Sequence, residues 1–320
     1  MPVSEFDIIQ QVFKSRAQSD NQVICGIGDD AAVIEVPTGQ QLLVSTDTLV
    51  SGVHYFPDAN AFDVGFKSLA VNLSDMAAMA AKPCWMTLAL TLPEANQNWL
   101  NSFADGLFTL ARKYQVALVG GNLAQGPLSI TITIMGTVPA GTALLRSGGC
   151  VGDDIYVTGE LGMASLALAS LKGECRISSN MQQSLLERLY RPQPRVETGM
   201  QIRNLASACI DLSDGLASDL LHILQASSAG AEVNLPTIPI TASLKALNEQ
   251  HRWSLALCGG DDYELCFTAP VANRTVLERM SGQFGCNITR IGKVTTGAGI
   301  RWLDENGLVK PVPDSGYRHF

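Results

Sequence analysis

Aspartates placed where the chain changes direction are the strongest chemical signal in the sequence. Gly26-Ile27-Gly28-Asp29-Asp30 precedes a predicted strand, and Ser45-Thr46-Asp47-Thr48 lies within or at the end of another. Asp75 sits on a helix otherwise built from small and apolar residues, and Ile210-Asp211-Leu212-Ser213-Asp214-Gly215 joins an apolar strand to a helix. Carboxylates in such places are costly unless paired or metal-bound. Any one of them could instead cap a helix or close a turn, and Ser213 and Asp214 stand where an N-cap is expected. Taken together, Asp30, Asp47, Asp75 and Asp211 have few Lys or Arg near them in sequence. Oxygen ligands of this kind suit magnesium or manganese, which keep several waters and bridge carboxylates to phosphate oxygens.

Gly26-Ile27-Gly28-Asp29-Asp30-Ala31 formally fits the dinucleotide pattern G-x-G-x-x-A, with Asp47 downstream. It makes a poor dinucleotide turn, because a pyrophosphate would face two carboxylates and the following run reads as a strand where a helix is required. No G-x-x-x-x-G-K-[ST] occurs, so a bound ATP must be held by metal ions, backbone N–H groups and isolated side chains. Gly120-Gly121-Asn122 follows a short apolar strand, either as a plain turn or as a place where backbone can approach phosphate. Arg146, within Leu145-Arg146-Ser147-Gly148-Gly149, is either a phosphate contact or an exposed linker arginine. His54 follows a strand and Gly52, a place fit for ligand contact, whereas His222 lies in a predicted helix and His251 beside Arg252 reads as surface.

The elements that must position these residues alternate. Ser4 can cap a first helix, strands are predicted over 31–36 and 41–50 with a Pro37-Thr38-Gly39 turn between, and a long helix from Phe66 is stopped by Pro83. A strand over 85–92, a helix over 96–114, and strands over 116–119 and 128–138 complete a mixed α/β half. Pro139 to Gly152, rich in small residues, is the expected junction, giving domains 1–140 and 141–320. A strand over 155–158 and helices near 162–171, 181–190 and 195–206 open the second half.

Bulk properties exclude several classes. Lys+Arg is 22 against Asp+Glu 30 with no basic run, which removes the footprint that nucleic acid or an anionic membrane requires. No secretion signal or membrane-spanning stretch is evident, so a cytoplasmic location is expected. The 8 cysteines lie far apart without a C-x-x-C, arguing against a disulfide framework or a zinc site. Three short patterns recur in both halves in the same order: Gly28-Asp29-Asp30 with Gly152-Asp153-Asp154, Leu73-Ser74-Asp75 with Leu212-Ser213-Asp214, and Gly120-Gly121-Asn122 with Gly259-Gly260-Asp261. Duplication and repeated use of one loop chemistry both account for them.

The strings GIGDDAAV, STDTLVSGVHY, KSLAVNLSDMAAMAA, TLALTLP, GGN, LLRSGG, DLSDGLASDL, GGDDYELCF and GYRHF resemble the thiamine-monophosphate kinase family, in register over essentially the whole chain. That family belongs to the aminoimidazole ribonucleotide synthetase-like superfamily. The resemblance implies a two-domain α/β plus α+β fold, with an N-terminal mixed α/β domain that binds metal and nucleotide and dimerises through its sheet. A C-terminal α+β domain for substrate and nucleotide follows. By resemblance, Asp30, Ser45, Thr46, Asp47, Asp75, Asp211 and Asp214 match positions that hold several magnesium ions. Gly121, Asn122, Arg146 and Ser213 match ATP-contacting or adjacent positions, and His54, Asp261 and Tyr317 match those facing thiamine monophosphate. The chain departs from the family in two places. Asn122 stands where the family usually carries Asp, leaving a neutral oxygen at a metal position, and GGDDYEL replaces the usual GGEDYEL, shortening a substrate-facing acid at Asp261 by one methylene.

Chemistry and resemblance agree. Joining ATP to a phosphate monoester brings two polyanions together, and the attacking phosphate oxygen is already largely ionised near neutral pH, so no general base is required. Charge neutralisation and in-line positioning become the main tasks. The competing readings are an aminoimidazole-type ATP-dependent synthetase, a metal-dependent hydrolase using the same carboxylates, and a non-catalytic nucleotide-binding regulator. The LSDMAAM helix and the GYRHF tail favour the kinase over the synthetase. Stoichiometric ADP with a new diphosphate separates transfer from hydrolysis, and binding without turnover marks a regulator.

Overall fold

A computed structural model describes residues 4–175, 177, 179–312 and 316, the side chains of 179 and 180 excepted. The chain divides into two compact units, Met1–Met76 with Ala81–Gly141, and Ala77–Ala80 with Thr142–Phe320.

The first unit opens with α1 (Glu5–Ile8), capped reciprocally by Ser4 and Asp7 and continued as a π-helical turn over Ile9–Lys14. The short strands β1 (Val23–Cys25) and β2 (Val33–Ile34) pair antiparallel, so the strand expected over 31–36 shrinks to Val33 and Ile34. Strands β3 (Gln40–Val50), β4 (Lys82–Leu92), β5 (Ala117–Gln125) and β6 (Ser129–Pro139) form a four-stranded sheet in the order β3-β6-β4-β5. Only the β4/β5 pair is parallel.

Helices α2 (Ala61–Ala78) and α3 (Gln97–Tyr114, capped by Asn96) cross where Gly65 meets the Phe103 carbonyl and Gly106 meets the Phe62 carbonyl. A methyl group at either glycine would overlap backbone, so this close crossing requires both. Met76 of α2 reaches Gly136 of β6, which sets the helix on one face of the sheet. Ile130, Ile132 and Ile134 of β6 are buried, whereas the intervening Thr131, Thr133 and Met135 are half-buried on the other face. This is the period-two pattern of a strand with one buried face; at the β4/β5 end the other face is covered by β1 and β2, whose Val23 and Ile34 pack with Trp85 and Met135. Helix α2 ends at Ala78 with Ala80 left-handed at φ 56, and Pro83 lies inside β4 at a register irregularity. Pro83 therefore does not stop the helix as the sequence suggests. The chain has already turned.

The second unit is built on a seven-stranded sheet in the order β13-β12-β9-β11-β7-β10-β8. In chain order its elements are β7 (Asp154–Thr158), α4 (Met163–Leu171), α5 (Ser179–Tyr190), α6 (Val196–Ile202), β8 (Ala208–Asp211), α7 (Leu216–Ala226) and β9 (Gly230–Asn234). There follow α8 (Ala242–Lys245), α9 (Glu249–Cys258), β10 (Leu265–Ala269), α10 (Arg274–Met280), β11 (Ile288–Thr295), β12 (Gly299–Leu303) and β13 (Val309–Lys310). The helix expected over 195–206 is shorter, with Arg195 at its N-cap and turned to another use described below. One apolar core gathers β7, β8, β9, β11, α4 and α7. The mixed pairing, with β12 parallel to β9 and the other pairs antiparallel, makes this an α+β unit.

Two of the three repeated triplets occupy unlike places, while Gly28 and Gly152 both sit in turns at positive φ shortly before a strand. Leu73-Ser74-Asp75 is helical while Leu212-Ser213-Asp214 is a loop, and Gly120-Gly121-Asn122 is strand while Gly259-Gly260-Asp261 is loop. Repeated chemistry accounts for them better than duplicated structure.

Candidate active site

In the first unit, Ser45 and Asp47 point to the helix-covered face of the edge strand β3, where their pairing partners across the ladder are the buried Ile134 and Ile132. Ser45 Oγ donates to Asp75 Oδ2 at 2.5 Å, joining β3 to α2. Burial, and then the charge of Asp75, push the Asp47 carboxyl up to about 6. The charge of Asp75 thus disfavours ionisation of Asp47. Thr46 alternates to the opposite face, where its hydroxyl meets that of Thr133 at 2.9 Å.

Asp30, Gly121 and Asn122 line a second feature, a cavity of about 620 Å³ whose walls include Phe6, Phe13 and Leu90. Gly120-Gly121-Asn122 is not the turn considered from sequence, because β5 runs on to Gln125. Between Met86 and Thr87 of β4 the register jumps past Val119, a bulge that re-aims the next three residues. Gly121, at φ +155, presses against Leu88 so closely that a Cβ would overlap its carbonyl. The glycine is needed for strand-to-strand approach. Asn122 is exposed at the wall of the cavity.

His54 lies in the turn after β3. Its Nδ1 accepts the Val50 N–H at 3.0 Å, which places the proton of a neutral ring on Nε2. Lys67 of α2, only 2% exposed, donates its ammonium to the His54 carbonyl at 3.4 Å. A buried cation beneath this turn was not foreseen from sequence, where Lys67 reads as an interruption in an apolar run.

In the second unit, Asp211 ends β8 and is buried, Ser213 is exposed and Asp214 half-buried. Neither Ser213 nor Asp214 caps α7: the N-cap residue is Gly215, at φ 109, with no side-chain cap of its own. The capping carboxylate comes from Asp219, whose Oδ2 accepts the N–H groups of Asp214 and Gly215, each at 3.1 Å. Burial and the nearby Asp214 charge push Asp219 up to about 7, opposed by those two hydrogen bonds and by the charge of Arg146. The exposed Arg146 therefore lies within electrostatic reach of this loop. Its carbonyl accepts from Ser227 Oγ at 3.3 Å, beside the end of α7.

Asp261 belongs to the same assembly. Its N–H donates to the Ser213 carbonyl at 3.0 Å, Tyr263 N–H to the Leu212 carbonyl at 2.9 Å, and Leu212 N–H to the Glu264 carbonyl at 2.8 Å. The Asp211–Gly215 and Gly259–Glu264 segments are thereby stitched together. Glu264, buried, accepts from Thr158 Oγ1 at 2.6 Å and forms a two-point ion pair with Arg195. Tyr317, like His319 of the closing aromatic tail, lies outside the described residues.

Among the described residues, no three His, Cys, Asp or Glu side chains converge as a metal-binding group. Magnesium needs fewer, since it keeps several waters and commonly takes one or two carboxylates with substrate phosphates. The Asp47–Asp75 pair with the Ser45 hydroxyl fits that requirement in hard oxygen donors. Asp219, Asp262 and the Arg195–Glu264 pair were missed from sequence. For Asp219 a signal exists: it falls on the buried stripe of Leu216, Leu220 and Ile223, where a carboxylate needs a reason.

The family descriptions "AIR synthase related protein, N-terminal domain" and "AIR synthase related protein, C-terminal domain" match residues 28–138 and 151–303. The chain is 45% identical to the thiamine-monophosphate kinase of Salmonella typhimurium over 324 aligned residues, covering 100% of this chain and 99% of that protein. The crystal structure of thiamine-monophosphate kinase from Stenotrophomonas maltophilia superposes with a TM-score of 0.87 at 42% identity, covering 97% of this chain and 99% of the other. A structure of AaThiL complexed with AMPPCP and TMP superposes with a TM-score of 0.76 at 29% identity, covering 99% and 97%.

Proposed function

Because the chain belongs to the thiamine-monophosphate kinase family, we propose that it transfers the γ-phosphoryl group of ATP to thiamine monophosphate, forming thiamine diphosphate and ADP. In the reaction a phosphate oxygen of thiamine monophosphate attacks the γ-phosphorus in line while the bond to the β-bridging oxygen breaks. The acceptor oxygen is ionised near neutral pH, so no side chain has to remove a proton. The observation that carries this reading on the protein side is the Asp47–Asp75 pair with the Ser45 hydroxyl, a set of hard oxygen donors that suits a site for cation-bound phosphates.

The residues that would hold magnesium are Asp30, Ser45, Asp47, Asp75 and Asn122 of the first unit, with Thr46 through its main-chain oxygen because its hydroxyl faces Thr133, and Asp211 and Asp214 of the second. Several bound ions would neutralise the two polyanions and align them for transfer. Gly121, Asn122, Arg146 and Ser213 contact ATP in this reading, the exposed guanidinium of Arg146 offering a fork to phosphate. His54, with its proton on Nε2, donates to the phosphate of the acceptor, and Asp261 and Tyr317 face the rest of it. The Asp261 carboxylate suits the positive thiazolium ring.

The homodimer expected from the resemblance finds support at the β3 end of the first sheet, on the face away from α2. Leu42 is 46% and Val44 59% exposed there, beside Thr46 and Thr48, a surface that a second copy would cover. Among the described residues no helix is long and apolar enough to cross a membrane, and a cytoplasmic location is part of the proposal. Phosphorus NMR of the protein with ATP, magnesium and a panel including thiamine monophosphate and free thiamine tests the reading. Equimolar ADP and thiamine diphosphate are expected, with free thiamine reacting poorly. Faster turnover of free thiamine, or release of inorganic phosphate without diphosphate, would overturn it.

A further inference from the structure

Helix α4 begins without a cap of its own. Its N-cap residue, Gly162, sits at φ 80 with no side-chain hydrogen bond to offer. No other residue fits: a Cβ there would lie 2.8 Å from Ala256 Cα and 2.9 Å from Leu244 Cδ1. The orphan N–H groups of a helix start must still be satisfied. Asp262 supplies the acceptor from the far side of the sequence, its Oδ2 taking the Gly162 N–H at 2.8 Å and its carboxyl also accepting from the Ala164 backbone.

The same residue sits between two left-handed neighbours. Asp261 is at φ 69 and Tyr263 at φ 48, a conformation that costs a non-glycine residue roughly 1–3 kcal/mol and persists only where the surroundings over-determine it. The backbone on both sides is stitched to Leu212 and Ser213, which fixes where the loop lies. Asp262, turned inward to the start of α4, adds a side-chain anchor at the crest itself, directly beside Asp261. Close packing supports the arrangement: Gly259 leaves no room for a Cβ against Ser165, and Ser165 Oγ donates to the Leu255 carbonyl at 2.7 Å, binding the first turn of α4 to α9.

We infer that Asp262 is a positioning residue that fixes the orientation of Asp261 by capping helix α4, and so sets affinity for the phosphate acceptor without touching it. The inference rests on the proposed function in taking Asp261 as acceptor-facing. As a residue Asp262 is only half-buried, but its carboxyl is desolvated and pushed up to about 8, so near neutral pH it is a neutral acceptor rather than a charge. An amide can therefore replace it. The carboxylate that recognises the acceptor and the one that aims it are neighbours in sequence with separate tasks.

The test compares wild type, Asp262→Ala and Asp262→Asn in steady-state kinetics with thiamine monophosphate and ATP varied separately, and in hydrogen exchange at the Gly162 and Ala164 amides. Asp262→Ala should raise the KM for thiamine monophosphate at least about tenfold while leaving the KM for ATP within about twofold, and should speed exchange at both amides. Asp262→Asn should bring both readouts back to within about threefold of wild type. If the alanine variant does not fold, Asp262→Ser, whose hydroxyl ends one bond short of the carboxylate oxygens, gives the same comparison. Equal changes in both KM values, unchanged exchange, or failure of the folded asparagine variant to restore acceptor affinity would overturn the inference. Absence of thiamine monophosphate turnover by the wild type would sink the functional reading alone, and the exchange measurements would still decide whether Asp262 holds the loop.

Discussion

Ser45 and Asp75 meet across a 2.5 Å hydrogen bond that joins an edge strand to the helix covering it. The hydroxyl satisfies one oxygen of Asp75 and leaves the carboxylate facing Asp47, whose proton affinity rises as a result of burial and of that charge. Asparagine at Asp75 would keep the shape and remove the charge. Turnover of Asp75→Asn should fall at least about a hundredfold, comparable with losing a key electrostatic contact, while circular dichroism stays native. Near-normal turnover at limiting magnesium would remove Asp75 from the metal site.

Asn122 offers a neutral oxygen where an aspartate would add charge. Asn122→Asp should lower the magnesium concentration that gives half-maximal rate and change the saturated rate by less than about tenfold, a barrier change near 1.4 kcal/mol. Titration of both proteins at fixed ATP, with free metal calculated, checks this. Superimposable curves would show that Asn122 does no more than line the wall of its cavity.

The buried Arg195–Glu264 pair carries a stability prediction. Glu264 is 1% and Arg195 7% exposed, so Arg195→Met strands a carboxylate with only Thr158 and the more distant Arg188 to compensate. The loss should be about 3–5 kcal/mol in urea unfolding. A change below about 1 kcal/mol, within the range of exposed pairs, would show that the carboxylate finds another partner.

Asp262 predicts a pH dependence. Its folded value, about 8, lies above the ordinary carboxylate value of 3.8, so the native state binds a proton that the unfolded chain has released between those two pH values. Stability from this group is fully present below the unfolded value and is lost as pH rises through the folded one. Asp262→Asn should therefore gain stability relative to wild type between pH 6 and 9, as measured by parallel urea titrations. Curves that stay parallel across that window would mean the carboxyl ionises freely in the folded protein.

The exposed residues of β3 supply the last prediction. Val44→Asp places a charge at the centre of the exposed apolar strip on β3, which should convert a dimer to a monomer in sedimentation velocity with the fold retained. An unchanged sedimentation coefficient in a dimeric wild type would move the interface elsewhere.

Much of this was legible because the relevant residues announce themselves locally. Asp30, Asp47, Asp75 and Asp211 are carboxylates in apolar or turning sequence, and the apolar run over 128–138 declares a strand. What escaped notice depends on partners distant in the chain. The bulge at Val119 exists only relative to β4, and without it Gly120-Gly121-Asn122 reads as a turn. Pro83 looks like a helix stop because nothing local reveals that Ala80 has already turned the chain. Asp219 and Asp262 look like ordinary loop and helix acids, because the N–H groups they hold are identified only by the fold.

The cap on α4 also bears on the order in which the chain becomes structured. Gly162 and Asp262 are 100 residues apart, so on a ribosome adding about 5–20 residues per second the start of α4 waits about 5–20 s for its acceptor to be made. Until β10 pairs with β8 and the loop before it closes, the first turn of α4 has only water for its N–H groups. A contact of such sequence separation forms late, after the entropy of closing the intervening chain has been met. Helix α4 should therefore fray in every fragment that ends before Asp262, and its protection from exchange should appear together with that of β10.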